Sequence, residues 1–162
     1  MRWRLAFAAV LIATPAAAAE TGGCGAFKWP ITADIALLEA ASWRDSGATI
    51  ALDGPVGLRL KLGPLDEAGF ALPPERAPAP AAQNGSLRFE AKPGTYQVTL
   101  TEPAWTDLVQ DGASLKPSEF SGVKDCDGAR KSLRYDLKAG PAVLQISNAP
   151  GRSVGVAITP PK

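Results

Sequence analysis

Apolar and polar residues alternate with a period of two along much of this chain. Leu58, Leu60 and Leu62, for example, are separated by Arg59 and Lys61. Because successive side chains of a β-strand point to opposite faces of a sheet, this period predicts strands that turn one face toward a core. The same alternation recurs in five further stretches: 87–90, 96–100, 133–137, 144–146 and 154–158.

Turn-forming residues separate these stretches. Glycine, proline, asparagine and aspartate cluster at 53–55, 111–112 and 148–151, where they favour tight reversals of the backbone. Six or more short strands joined in this way, each with one exposed face, predict an all-β fold. We therefore expect an antiparallel β-sandwich, jelly-roll-like or immunoglobulin-like.

The clearest helix signal lies near the N-terminus, at 32–41. Thr32 is a suitable N-cap, and Ile31, Ile35 and Leu38 follow helical spacing, so we expect one short helix there. A second irregular segment, 73–84, contains four prolines. Its composition predicts a stiff excursion over the surface of a single domain.

One stretch of the sequence is repeated. Residues 87–94 recur as 133–140 with four identical positions and a constant offset of 46 residues. Each copy reads as a strand, a tight turn with a Lys-x-Gly motif, and a second strand. The pattern predicts two structurally related β-hairpins, in which the glycine supplies a positive φ.

The N-terminus has the features of a secretion signal. Two arginines precede a fully apolar run at 5–13, which is followed by Pro15 and three alanines at 17–19. This arrangement predicts a cleavable signal peptide over 1–19 and a single mature domain over 20–162. The apolar run is shorter than the ~20 residues of a membrane-spanning helix, so we expect a periplasmic or secreted protein without a transmembrane segment.

Two cysteines, Cys24 and Cys126, are present in the predicted mature chain. An even number of cysteines in an exported protein favours a disulfide bond. A pair of free, redox-active thiols is the alternative, although the chain has no Cys-x-x-Cys motif.

The chain contains no histidine. This excludes Ser-His-Asp and Cys-His catalysis, as well as the histidine-based iron and zinc sites of most metalloenzymes. The 17 basic and 16 acidic side chains nearly balance, which argues against a nucleic-acid partner. We expect neither a cofactor nor a bound metal, and we interpret 125–128 as a turn despite its faint similarity to a calcium loop.

Four residues are candidates for a binding site. Trp105 offers an aromatic surface for a ligand or partner, and Asp107 shares its face of the strand if that strand is regular. Asp111 could form a carboxylate pair with Asp107, and Arg130 adds a positive charge from a mixed basic patch. A Ser132–Lys131 dyad would be the other catalytic possibility, but neighbours on a strand point to opposite faces.

Two family resemblances follow from particular stretches of the sequence. Residues 87–100, and less clearly 133–146, resemble pre-peptidase C-terminal domains, which implies a jelly-roll-like sandwich of the kind appended to secreted bacterial enzymes. The mature chain as a whole resembles a group of small exported bacterial proteins without established activity. The stretches that carry this second resemblance are 27–30, 69–76, 105–112 and 124–128.

Some sequences of that second group are labelled homogentisate dioxygenase. The label implies a histidine-ligated iron, which a chain without histidine cannot supply. We therefore expect a non-catalytic periplasmic binding or accessory protein whose partner is a small ligand, a glycan or an envelope protein. The alternatives are a hydrolase using a carboxylate pair or Ser-Lys, and a structural or inhibitory partner of another exported protein.

Overall fold

The predicted strands lie in two β-sheets that pack face to face, as a computed structural model of residues 21–162 shows. The predicted signal peptide, 1–19, lies outside the described residues. In chain order the elements are a short 3-10 turn (Cys24–Ala26), α1 (Thr32–Glu39), β1 (Ser42–Arg44), β2 (Ala48–Ile50), β3 (Val56–Lys61), a second 3-10 turn (Leu65–Glu67), β4 (Gln83–Ala91), β5 (Gly94–Leu100), β6 (Trp105–Gln110), β7 (Ala113–Leu115), β8 (Glu119–Gly122), β9 (Lys131–Leu137), β10 (Gly140–Ala149) and β11 (Ser153–Thr159).

The first sheet has six strands in the order β1-β3-β11-β5-β9-β8, and the second has five in the order β2-β4-β10-β6-β7. The alternating apolar residues of both sheets face each other and form the main core, which includes Leu58, Leu87, Tyr135 and Leu144 at 0% exposure. The predicted all-β sandwich with one short helix is therefore confirmed. None of the helices within 21–162 combines the length and apolar character that crossing a membrane requires.

Both sheets are mixed, which the antiparallel prediction missed. Strand β1 runs parallel to β3, and β2 runs parallel to β4, while the other pairs are antiparallel. The connectivity explains the difference. The chain passes from β1 through β2 in the opposite sheet before it reaches β3, and parallel pairing needs such a long connection instead of a hairpin.

The 46-residue repeat corresponds to two β-arches, so the hairpin interpretation was wrong. In each copy the strand before the glycine lies in one sheet and the strand after it lies in the other. The two copies pair with each other symmetrically. Val98 of the first copy lies opposite Leu133 of the second, and the equivalent residues, Leu144 of the second copy and Leu87 of the first, also lie opposite each other. Gly94 and Gly140 share similar positive φ angles, 139° and 128°, so the repeat is structural.

The outer face of the first sheet is covered by an N-terminal segment, 24–39, that ends in helix α1. Gly57 makes this contact possible, because a Cβ there would lie 1.9 Å from the carbonyl oxygen of Leu37. The helix begins after Ile31, which forms no side-chain cap, so Thr32 is the first helical residue and not the predicted N-cap. The buried side chain of Asp34 attaches helix α1 to the first sheet.

The Asp34 carboxylate holds the helix on the sheet through three neutral side chains. Gln97 donates to one oxygen at 2.6 Å and Thr99 to the same oxygen at 2.5 Å, while Thr159 donates to the other at 3.2 Å. A buried carboxylate is costly unless its oxygens are hydrogen-bonded. These bonds satisfy Asp34 and join the helix to β5 and β11.

The outer face of the second sheet is covered by a proline-rich strap, residues 69–82. Its backbone is held by side chains of the sheet below it. Gln145 accepts hydrogen bonds from the N–H groups of Ala71 and Leu72 and donates one to the carbonyl of Leu72. The surface excursion predicted for 73–84 is confirmed over 73–82, whereas residues 83 and 84 begin strand β4. The sequence also predicted that each strand has one exposed face. This prediction is not confirmed, because the outer faces of both sheets are largely covered.

Cys24 and Cys126 form the predicted disulfide bond across a sequence separation of 102 residues. It fixes the N-terminal segment to the connection between β8 and β9, next to a small second core that includes Phe27, Trp29 and Val123. The neighbouring Asp125 carboxylate accepts hydrogen bonds from the N–H groups of Gly22 and Gly23, and these bonds lower its pKa.

We predict that the double substitution Cys24→Ser/Cys126→Ser lowers the free energy of unfolding by up to about 4 kcal/mol, because the bridge restricts a loop of about 100 residues in the unfolded chain. Urea denaturation monitored by circular dichroism would measure this loss. A reducing agent should shift the midpoint of the wild type but not that of the double variant. An unchanged midpoint would show that the bridge contributes no stability.

Candidate functional site

A pocket of about 460 Å³ opens where the two sheets and the strap meet. Strand β6 contributes Trp105, β8 contributes Phe120, and β9 contributes Lys131. The complete set of lining residues is Arg76, Pro103, Ala104, Trp105, Phe120, Gly122, Arg130, Lys131 and Asn148. The lining therefore combines aromatic rings with three cationic side chains.

Asp107 lies behind the pocket lining and holds the Trp105 indole in place. It lies two residues after Trp105 on β6, and its Oδ1 accepts a hydrogen bond of 2.8 Å from the Trp105 indole Nε1. Its Oδ2 accepts a bond of 3.2 Å from the backbone N–H of Glu75 in the strap. The carboxylate is 3% exposed, so it acts as a structural anchor that joins the indole and the strap.

The pKa of Asp107 is raised above its usual value because burial penalises the charged form. The hydrogen bonds from Trp105 and Glu75 oppose this shift, since they stabilise the carboxylate. Burial also raises the pKa of Tyr135, whose hydroxyl donates to the carbonyl of Thr106 at 3.3 Å. The interior next to the pocket thus disfavours negative charge on the protein.

Arg76 reaches the pocket from the strap, and a β-bulge holds the strap in place there. The register between β10 and β4 shifts between Ile146 and Ala149, and Asn148 has a positive φ of 57°. Its side-chain oxygen accepts a 2.9 Å hydrogen bond from the N–H of Ala79. Bulges commonly redirect a side chain in this way. The Arg76 guanidinium lies 6.0 Å from the centre of the Trp105 ring.

Lys131 is a partly buried cation of the site without a bonded partner, whereas Arg76 is exposed. It begins β9 in the same alternating row as the core residues Leu133 and Tyr135, and its side chain lines the pocket. Among residues 21–162 it forms neither an ion pair nor a side-chain hydrogen bond, since the two ion pairs of this part join Lys61 to Asp45 and Arg134 to Glu119.

Burial lowers the pKa of Lys131 to about 8. Desolvation is the main cause, because the ammonium is moved away from water without a bonded partner. The charge of Asp107 opposes the shift, and the neighbouring Arg130 reinforces it. Arg130 itself is partly satisfied, since its guanidinium donates to the carbonyl of Val123 at 2.7 Å. An anion in the pocket would stabilise the charged form of Lys131.

The structure brings together three of the four residues that the sequence suggested. Trp105 and Arg130 line the pocket, and Asp107 lies behind the lining. Asp111 is exposed in the turn between β6 and β7, where it has a positive φ of 52°. The Asp107 carboxylate is buried, and its two oxygens are bonded to Trp105 and Glu75. The two acids therefore do not form the open carboxylate pair of a glycosidase.

Ser132 and Lys131 occupy opposite faces of β9, as expected. The Ser132 hydroxyl lies under the N-terminal segment, where it accepts a bond from the indole of Trp29 at 3.1 Å and contacts Thr99 at 2.8 Å. Lys131 lines the pocket on the other side. The structure does not bring the two groups together as a catalytic dyad.

Three lining residues, Arg76, Phe120 and Lys131, were absent from the predicted site. From the basic patch only Arg130 was a candidate binding residue, and Lys131 was considered only as a partner of Ser132. A signal did exist, because Lys131 continues the inward alternation of 133, 135 and 137. Arg76 carried no such signal, since the irregular strap has no period that would place it.

Other aromatic and acidic groups offer weaker sites. Trp29 is buried beneath the Arg134 guanidinium, 4.3 Å from its ring centre, and Trp43 is 55% exposed on the edge strand β1. Within 21–162 no group of three or more acidic or cysteine side chains is arranged to hold a metal ion. No protein-family model matches this chain, and no curated protein matches it significantly. The resemblances noted from the sequence therefore stay predictions.

We predict that Asp107→Asn lowers the free energy of unfolding by about 1–3 kcal/mol, because an amide cannot accept both hydrogen bonds in this buried position. It should also increase proteolytic cleavage within 69–82, since the strap loses its bond at Glu75. Urea denaturation and limited proteolysis with peptide mapping would measure both effects. The control is Asp111→Asn, the same chemical change in an exposed turn, and equal behaviour of the two variants would contradict the anchoring role.

Proposed function

We propose that this protein is a non-catalytic binding or accessory protein of the periplasm, and that its pocket holds a small organic anion with an apolar part. The observation that carries the proposal is the half-buried Lys131 ammonium, which lines the pocket without a bonded partner in the described chain. Buried charges are usually paired. A ligand carboxylate or similar anion would supply the missing partner.

The surrounding charges support an anion over a cation. Arg76 and Arg130 line the same pocket as Lys131, and guanidinium groups bind carboxylates and phosphates through paired hydrogen bonds. The nearest acid, Asp107, is shielded from the ligand because both of its oxygens already accept bonds from Trp105 and Glu75. The pocket therefore offers positive charge at its surface and keeps the negative charge behind it.

The aromatic residues support a ligand with an apolar part. Trp105 and Phe120 both line the pocket. Phe120 lies on the edge strand β8 and is 36% exposed. A volume of about 460 Å³ lies within the range of ~300–1,000 Å³ for small-molecule sites. These features favour a small aromatic or branched acid over an inorganic ion.

The alternative functions have less support. A hydrolase with a carboxylate pair would need Asp107 and Asp111 to converge, but Asp107 is buried and bonded to Trp105 and Glu75, while Asp111 is exposed in the turn after β6. A structural or inhibitory role would rest on the exposed Trp43 of β1. That surface lacks the uncompensated buried charge that distinguishes the pocket, so we favour the binding role.

We predict that benzoate binds at least tenfold more tightly than benzamide, its neutral analogue of the same shape, because only the anion pairs with Lys131. Lys131→Gln should weaken benzoate binding by about tenfold or more, the usual scale for a hydrogen bond to a charged group. Isothermal titration calorimetry on untagged protein would measure both. Lys124→Gln changes an exposed lysine outside the pocket and serves as the control.

Binding should also depend on pH. The affinity for benzoate is expected to fall as the pH rises through about 8, because Lys131 then loses its charge in the free protein. Lys131→Arg keeps the charge and should remove most of this dependence. Tyr135 does not contribute to a change near pH 8, because burial raises its pKa. Equal affinity for benzoate and benzamide, or no loss in Lys131→Gln, would contradict an anion site.

The proposed location predicts a processed chain. Cleavage after Ala19 should give a mature protein that begins at Glu20. Intact-protein mass spectrometry of the periplasmic fraction would show this mass, reduced by two hydrogens for the disulfide bond. A full-length chain that keeps Met1 in that fraction would contradict the signal-peptide prediction.

A further inference from the structure

Lys131 differs from every other lysine of the chain in its surroundings. The remaining seven are exposed: Lys28, Lys61, Lys92, Lys116, Lys124, Lys138 and Lys162. Lys131 is half-buried in a pocket, and no acceptor within 21–162 holds its Nζ. An amine that is desolvated and not hydrogen-bonded has an accessible lone pair once it loses a proton, which makes it a nucleophile.

We propose that Lys131 captures small carbonyl compounds that carry a negative charge, and that it holds them reversibly as an imine inside the pocket. This inference rests on the proposed anion site and names a chemical class for its ligand: an aldehyde or ketone with a carboxylate. The carboxylate pairs with Arg76 or Arg130, and the carbonyl carbon then lies within reach of the Lys131 amine.

The surroundings of Lys131 favour this chemistry over simple ion pairing. Burial lowers the pKa of its ammonium to about 8, so the free amine is much more populated near neutral pH than that of an ordinary lysine, whose pKa is about 10.4. Arg130 on β9 and Arg76 on the strap face the same pocket. They keep a carboxylate bound even when Lys131 is neutral.

The acidic groups near Lys131 do not block the amine. Asp107 on β6 accepts bonds from Trp105 and Glu75, and it forms no ion pair with Lys131. Glu75 on the strap is exposed, and the Tyr135 hydroxyl on β9 donates to the carbonyl of Thr106. The amine is therefore left free to react with a bound ligand.

The reaction balances without any oxidant, reductant or metal. The Nζ lone pair attacks the carbonyl carbon, and the carbonyl oxygen takes up a proton to give a carbinolamine. A second proton converts the hydroxyl into water, which leaves as the C=N bond forms. The net change is one amine and one carbonyl to one imine and one water, and hydrolysis reverses it.

The test is reductive trapping of purified protein with 4-carboxybenzaldehyde and sodium cyanoborohydride at pH 7.5, followed by peptide mapping. We expect labelling at Lys131 at least tenfold above that at any of the other seven lysines, which act as internal controls. Benzaldehyde lacks the carboxylate and should label Lys131 at least tenfold less. The N-terminal amine is resolved on its own peptide.

Wild-type protein separates this inference from the proposed function, because benzoate binding and adduct formation are measured on the same chain. Lys131→Arg removes the amine nucleophile and should lose the adduct at position 131. If wild-type protein binds benzoate but shows no preferential adduct at Lys131, the imine proposal is overturned and the anion site stands. If it binds no benzoate and labels equally with both aldehydes, both proposals fail.

Discussion

The two β-arches on either side of Gly94 and Gly140 depend on each other, and the rest of the sandwich is built around them. Each arch places one strand in each sheet, so β4 finds its partner in β10 and β5 finds its partner in β9. Neither arch can satisfy its backbone hydrogen bonds alone. Their inward residues, such as Leu87 and Leu133, meet in one core, which ties local turns to contacts distant in sequence.

Covering segments complete this sandwich, and buried polar side chains hold them in place. Asp34 joins the N-terminal helix to the first sheet, while Gln145 and Asp107 join the strap to the second. A buried polar group destabilises a fold unless it is hydrogen-bonded. Here each group binds atoms of the segment above or the sheet below. The bonds thus favour one position for each covering segment.

This organisation explains which predictions from the sequence succeeded. Alternation identified six strands, because burial of one face leaves a period of two in the sequence. These strands are β3, β4, β5, β9, β10 and β11. Alternation could not show that 87–94 forms an arch instead of a hairpin, since both need the same inward residues and the same glycine. The three-residue strands β1, β2 and β7 are too short to show a period. Asp107 was a candidate acid for a site, yet its buried carboxylate serves the strap.

Asp107 and Lys131 have separate roles in the proposed anion site: Asp107 anchors the strap, and Lys131 is left to pair with the ligand. If the two groups were paired, the lysine would be held by its partner and the pocket would carry less positive charge. Instead, Trp105 and Glu75 use both oxygens of Asp107, while the β-bulge at Asn148 keeps the strap, and with it Arg76, over the opening. The hydrogen bonds that position the strap therefore also keep the Asp107 carboxylate from forming an ion pair with Lys131. The anchoring of the strap and the proposed anion site therefore depend on the same few contacts of β6.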